Sequence, residues 1–401
     1  MSVLARPLSL RSGLTLPNRI AKAAMSETMA TPGGEPSPEL EVLYRRLARG
    51  GAGLFITGNV MVEPGGAGEP GNVLVRPRKG PPLEAFRRWA AAAASGPGVA
   101  FVQLNHAGRQ SPRSVNGAPV APSAVPLRLG GMFVAPRALT GEEISALVGH
   151  FAGAARLAQE AGFSGVQLHA AHGYLFSQFL SPLTNLRTDA WGGPLENRMR
   201  FLVESLRAVR RAVGPRFAVS VKLNSSDFLR GGFGDEEATV VARTLDQEGV
   251  ELLEISGGTY ERPAMFVAPR DSTREREAHF LDYARQIRGA VGCPLMLTGG
   301  LRTPRVIEEV LLEGSADVVG LARPIALEPD LPMQILAGRT RASAATPPSG
   351  RLAVLAAATE GGWYHEQLHR MGRGLEPDAK LSRVRTLMSA ARTMWRRAEG
   401  G

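Results

Sequence analysis

Eight short apolar runs, rich in β-branched residues, alternate with longer segments of helical period, and this alternation limits what the 401-residue chain can become. The runs are RIAKAAM (19–25), GLFITGNVMV (53–62), VAFVQLN (99–105), GVQLHA (165–170), FAVSVKLN (217–224), LLEISGG (252–258), PLMLTGG (294–300) and VVGLAR (318–323). The clearest helical patterns between them cover 38–50, 82–96, 140–162, 195–214, 235–249 and 303–314. Several open on a Thr, Ser, Asp or Pro and stop at glycine, as helix caps require. Eight βα units closing on themselves predict a (β/α)8 TIM barrel over residues 1–339 with a C-terminal helical extension over 340–401. An open doubly wound sheet would carry a glycine-rich turn after its first strand, whereas RIAKAAMSETMA has no glycine.

A barrel does its chemistry on the loops that follow its strands. Two of these are long, 106–139 and 171–194, as functional loops tend to be. The second opens with HAAHGYLFSQFLSPLTNLRTDAWGGPLENR (169–198), which puts His169, His172 and Tyr174 within six residues at a strand end. A metal would need more ligands than two histidines, and the next acid after His172 is Asp189, seventeen positions on. Paired imidazole N–H groups instead suit one oxygen atom, and a neighbouring phenol can deliver a proton. The set fits polarisation of a carbonyl and quenching of the enolate that forms.

A second histidine signal, WYHEQLH (363–369), matches the zinc-hydrolase pattern H-E-x-x-H at His365, Glu366 and His369. It lies past the barrel with no third ligand in view, and an amphipathic surface helix explains it; no metal is expected. The net charge of +10 raises nucleic-acid binding, but only four of the 47 basic residues are lysines, which looks like composition bias. The one dense basic region, 370–401, has eight basic and three acidic residues, and a solvated helix face accounts for it. No nucleic-acid partner is expected. The absence of an 18-residue apolar stretch argues against a membrane span, and MSVLARPLSLRSGL lacks the apolar core of a leader, so a cytoplasmic location is expected. The single cysteine, Cys293, cannot form an intramolecular disulfide or hold an iron–sulfur cluster.

Other strand ends suggest a cofactor. The Gln103 amide can donate and accept at once, as a pyrimidine edge requires. Lys222 sits in an apolar strand with parity opposite to Val219, Val221 and Leu223, and calls for an anionic partner. TGG (298–300), with Gly299 and Gly300, and GLARP (320–324), with Arg323, end adjacent strands in the manner of a barrel phosphate site. Amide edge, cation and phosphate cradle together fit FMN.

These residues resemble the Old Yellow Enzyme family of FMN-dependent ene-reductases, also known as the NADH:flavin oxidoreductase group, over about residues 5–335. FVQLNHAGRQ, the 169–198 stretch and ADVVGLARP carry the likeness. The resemblance implies that His169 and His172 bind the substrate carbonyl and that Tyr174 is the proton donor. It further implies flavin contacts from Ala24, Met25, Ser26, Gly58, Gln103 and Lys222, with Gly300, Ala322 and Arg323 around the phosphate. The implied activity takes electrons from NADH or NADPH, passes hydride from flavin N5 to the β-carbon of an α,β-unsaturated carbonyl compound, and protonates the α-carbon. An FMN-dependent NAD(P)H oxidase or an amine dehydrogenase on the same barrel is the alternative. Lys222 departs from the family's frequent arginine and offers a point charge without a fork. The missing cysteine cluster aligns the chain with the single-domain branch. Loops around Thr28, Met132–Pro136 and Tyr260–Met265 are expected at the substrate. Residues 340–401 are expected to form helices packing on the barrel or on another subunit, which leaves a homo-oligomer open.

Overall fold

The computed structural model describes residues 2–76, 83–262, 278, 280–344 and 353–382, with side chains omitted over 353–360. Eight strands form the barrel: β1 (Ile20–Lys22), β2 (Leu54–Met61), β3 (Val99–Asn105), β4 (Gly165–Ala170), β5 (Ala218–Asn224), β6 (Leu253–Ser256), β7 (Leu295–Thr298) and β8 (Val318–Leu321). Each pairs in parallel with the next, and β8 returns to β1 through Gly320 opposite Ala21, so the sheet closes without an edge. The predicted (β/α)8 architecture is the observed one. Predicted and observed limits coincide for β3 and β4.

Helices α1 (Pro38–Ala48), α2 (Leu83–Ala93), α3 (Gly141–Ala161), α4 (Arg200–Val213), α5 (Asp235–Gln247), α6 (Leu281–Arg288), α7 (Pro304–Leu312), α8 (Arg323–Leu327) and α9 (Ala353–Gly372) follow in chain order. The Ser37 side chain accepts the Leu40 N–H at the start of α1. Thr140 and Glu143 form a reciprocal capping box on α3, which stops at Gly162 with φ 96°. Helix α6 was not among the clearest sequence patterns, since eight residues give barely two turns of period. Among the described residues no helix is long and apolar enough to cross a membrane.

Strands wrapped by helices are buried on both faces, which is why they read as continuous apolar runs. Outward side chains such as Val219, Val221 and Leu223 join the helices in one large core. Inside the barrel a smaller core of Leu54, Phe101, Ala218, Met296 and Val318 rests on Leu10 and Leu16 from an N-terminal hairpin that plugs the base. Towards the C-terminal ends of β3–β6 the interior changes character: Gln103, Gln167, His169, Lys222 and Glu254 are all buried there. Polar groups in so dry a place must satisfy one another or a ligand.

Candidate active site

Register explains how those side chains meet. Gln103 lies opposite Gln167, and Lys222 lies between His169 on β4 and Glu254 on β6. Residues level across adjacent strands face the same side, so all five point into the barrel. The Gln103 amide donates to Gln167 at 2.8 Å, Gln167 donates to Glu254 at 2.9 Å, and the Lys222 ammonium lies 2.9 Å from the same carboxylate. The anionic partner that Lys222 called for is thus present within the protein as well. Glu254 and Gln167 escaped the sequence reading.

His169 is carried by β4, while His172 sits in the turn beyond it with φ 63°, a left-handed conformation that costs a side-chain-bearing residue energy. Both of its backbone groups are held by side chains: its N–H donates to Asn224 at 3.0 Å, and its carbonyl accepts from Gln110 at 3.0 Å. The turn brings the two imidazoles edge to face with centroids 5.0 Å apart, and the Tyr174 ring lies 4.9 Å from that of His169. The Ala171 N–H points at His169 Nδ1 (3.3 Å), so that nitrogen accepts and Nε2 carries the proton. Ser256 Oγ is 2.8 Å from His172 Nε2 and sets which of its nitrogens is protonated.

Burial holds both histidines well below their ordinary pKa of 6.5, reinforced by the positive charge of Lys222 and, for His169, by His172. They are neutral donors at physiological pH. Burial pushes the Tyr174 phenol well above 10, helped by Tyr260 and Glu69, so it stays protonated. Its hydroxyl is 3.0 Å from that of Tyr260, and Asn59 also bonds to it. The depressed histidines give stability a pH dependence. Unfolded rings take up protons below 6.5 while the buried ones do not, so their contribution is present above 6.5 and is lost as pH falls. Each should add a slope of up to about 1.4 kcal/mol per pH unit to denaturant melts between pH 6 and 5. A His172→Gln variant should flatten that slope; an unchanged slope would contradict the assignment.

The residues read as flavin contacts occupy the same end of the barrel. Ala24, Met25 and Ser26 follow β1 directly, and Ser26 donates to Glu69 and accepts from Asn59 at 3.3 Å. The next residue, Glu27, went unnoticed in the sequence. Its carboxylate accepts the Gly58 N–H (2.9 Å) and the Tyr44 hydroxyl (2.5 Å), and lies 3.4 Å from the fully buried Lys22 ammonium. A Cβ on Gly58 would come within 2.0 Å of Glu27 Oε2 and 2.3 Å of the Met25 carbonyl oxygen. Gly58→Ala should therefore cost about 1–3 kcal/mol in a thermal melt, as overpacking does, and a neutral result would mean that the loop adjusts freely. Gly299 and Gly300 both have positive φ, 136° and 77°, after β7. Ala322 and Arg323 follow β8, and the Arg323 guanidinium lies 6.0 Å from the centre of the Tyr364 ring. The structure joins His169, His172, Tyr174, Gln103 and Lys222 in one cluster; Gly299, Gly300, Ala322 and Arg323 follow the adjacent strands β7 and β8.

These surroundings fit FMN. Asn105 Oδ1, Ser225 Oγ and Thr298 Oγ1 are buried and have no hydrogen-bond partner among the described residues; they lie at or one residue past the C-terminal ends of β3, β5 and β7, where a ligand would satisfy them. Among the described residues no donor reaches the Gln103 carbonyl oxygen, Lys222 and Arg323 supply cations, and only glycine readily adopts the conformations at 299 and 300. A separate cavity of about 250 Å³ borders Gly173 and is lined by Arg109, Gln178, Asp227 and Thr259; it does not include Gln103, His169 or Lys222. Among the described residues no group of three metal-ligating side chains exists. The zinc-like motif is otherwise engaged: Glu366 pairs with Arg373, and the His369 ring meets the backbone of Glu27. Of the predicted substrate loops, Tyr260 reaches Tyr174, the Phe133 ring lies 6.5 Å from that of Tyr260, and residues 263–265 fall outside the described residues.

Residues 4–342 match the NADH:flavin oxidoreductase / NADH oxidase family. An NADH-dependent flavin oxidoreductase of Neonectria sp. is 39% identical over 90% of this chain and 51% of its own length, so this chain spans about half of that relative. One from Hypocrea jecorina is 38% identical over 82% of this chain and 88% of its own. The solved old yellow enzyme homologue from Zymomonas mobilis superposes with a TM-score of 0.70 at 28% identity, covering 84% of this chain and 94% of that one.

Proposed function

Because the chain belongs to the NADH:flavin oxidoreductase / NADH oxidase family, with FMN and a reduced nicotinamide as its cofactors, we propose that it reduces the C=C bond of α,β-unsaturated carbonyl compounds at the mouth formed by β3–β6. The observation that carries this reading is the neutral pair His169 and His172, 5.0 Å apart beside the protonated Tyr174. FMN, when bound, supplies a hydride carrier that the nicotinamide reloads. The protein's share is electrostatic and geometric. Two imidazole N–H groups grip the carbonyl oxygen and stabilise the charge that builds on it as the β-carbon takes up hydride. Being neutral, they bind without surrendering a proton to the wrong atom. Tyr174 then protonates the α-carbon, with Tyr260 and Asn59 fixing the direction of its hydroxyl. Gln103 and Arg323 would hold the pyrimidine edge and the phosphate, and Ala24, Met25, Ser26, Gly58, Gly299, Gly300 and Ala322 would line the flavin. Lys222, partly neutralised by Glu254, would sit near the ring system.

Incubation with 2-cyclohexenone and deuterated NADH or NADPH tests the reading. Saturated ketone carrying one deuterium at the β-carbon is expected; peroxide formation without saturated ketone would favour the oxidase alternative and overturn it. Replacing His172 with alanine should remove one oxygen-gripping donor and lower enone reduction by about 10²–10³, roughly 3 kcal/mol of transition-state stabilisation. An unchanged rate in a variant that keeps its flavin would remove His172 from the assigned role.

A further inference from the structure

Helix α9 begins beyond the stretch matched by the family, which stops at residue 342. Its buried Trp363, Tyr364, Leu368 and Met371 nonetheless belong to the same core as the barrel's outer layer, and it lies against α1 and α8. Helix α9 touches two elements that, on the reading above, meet the flavin. At one point the Tyr364 ring, 6% exposed, packs against the Arg323 guanidinium at 6.0 Å. One turn further on, His369 Nε2 lies 2.9 Å from the Glu27 carbonyl oxygen and 3.2 Å from Thr28 Oγ1. Glu27 and Thr28 directly follow Ser26, and Thr28 has φ 54°, a strained conformation that needs outside support.

The helix is itself anchored. Trp363 Nε1 donates to the Leu381 carbonyl at 3.0 Å, and the buried Gln367 bonds both backbone groups of Asp378. Arg46 of α1 binds Glu376 together with Asp330, tying that return segment to the barrel. A surface helix that only covered apolar area would need none of these directed contacts.

We infer that α9 is part of the cofactor site: Tyr364 positions Arg323 for the FMN phosphate, and His369 positions the Met25–Thr28 loop that presents Ser26. The inference rests on the proposed contacts of Arg323 and Ser26 with FMN. An aromatic face restricts a guanidinium to a plane and direction, so less freedom is lost when a phosphate binds. A ring hydrogen-bonded to the backbone at Glu27 holds a strained loop in the one geometry that leaves Ser26 at the mouth.

The test uses full-length apo-protein and reads ligand affinity by quenching of flavin fluorescence, with FMN and phosphate-free riboflavin side by side. Tyr364→Leu should weaken FMN about 3- to 30-fold and leave riboflavin within twofold, while Tyr364→Phe, which keeps the aromatic face, stays close to the parent. His369→Ala should weaken both flavins alike, with His369→Gln recovering most of the loss. Equal loss of FMN and riboflavin in Tyr364→Leu, or no loss in either Tyr364→Leu or His369→Ala, overturns the inference. Arg323→Ala separates the levels. If it leaves FMN affinity unchanged, the phosphate assignment and the role of Tyr364 fall together. If it weakens FMN and Tyr364→Leu does not, only the role of α9 falls. Should a variant fail to fold, amide exchange of the parent protein decides: FMN is expected to slow exchange across 361–372, and no change there contradicts the inference.

Discussion

A Tyr174→Phe variant is expected to keep its flavin and to accept hydride from NADH at the parental rate, while its reduction of enones falls by about 10²–10⁴. The substitution is nearly isosteric, so the ring contact with His169 at 4.9 Å survives and only the hydroxyl is lost. That hydroxyl is the acid on the proposed path, and its protonation state is secured by its surroundings. Burial, Tyr260 and Glu69 all push the phenol above its ordinary value of 10, so the proton is present throughout the neutral range. Two consequences separate this from a packing effect. The parental rate should be independent of pH between about 7 and 10 as far as Tyr174 is concerned, and the variant should lose rate only in the half-reaction that consumes the enone. Single-turnover measurement of both half-reactions makes the comparison. Equal loss in both, or no loss in either, would show that Tyr174 is not the donor.

Replacing Glu27 with alanine should cost about 3–5 kcal/mol of folding stability, the penalty for stranding a buried charge. Lys22 and Tyr44 have no exposed surface, and the Lys22 ammonium is left with the Ile56 carbonyl oxygen at 2.8 Å and Tyr44 at 3.4 Å once the carboxylate is gone. Burial already lowers the Lys22 pKa from 10.5, and Glu27 is the largest influence raising it. Without Glu27 the folded-state value drops further. A depressed lysine contributes stability at high pH that is lost as pH falls below 10.5, so the defect should be greatest at neutral pH and shrink towards pH 10. Urea melts of the variant at pH 7 and 9.5 check this, and a defect independent of pH would mean that Lys22 is uncharged in the parent. The same variant should bind flavin poorly, because Glu27 also holds the Gly58 N–H and follows Ser26.

The barrel was legible because its strands are buried on both faces and its helices on one, so two different periods alternate along the chain. Position at a strand end then singled out His169, His172 and Tyr174, and the glycines of TGG marked a turn that the structure builds with positive φ at 299 and 300. The supporting polar residues were harder to see. Glu254 sits in LLEISGG as Lys222 sits in VSVKLN, one charge in an apolar strand, and the logic applied to the lysine would have found its partner. The same holds for Lys22 in RIAKAAM, which was counted only as one of four lysines, while its partner Glu27 lies in the loop beyond the strand, where no such pattern marks it. Tyr44 follows Leu40 by one helical turn on the buried side of α1 and reads as core, which it is, apart from its hydroxyl. His369 was beyond reach: its partners lie more than 340 residues away in the chain, and its local pattern reads as one face of an amphipathic surface helix.

The most direct measurement of enone reduction at this mouth is stopped-flow reoxidation of the anaerobically reduced holoprotein, with 2-cyclohexenone or air-saturated buffer in the second syringe. The expected result is faster, saturable reoxidation by the enone, slowed about 10²–10³-fold in His169→Ala and in His172→Ala, with the reaction towards oxygen little changed. Faster reoxidation by oxygen, or an enone reaction indifferent to both histidines, would contradict it.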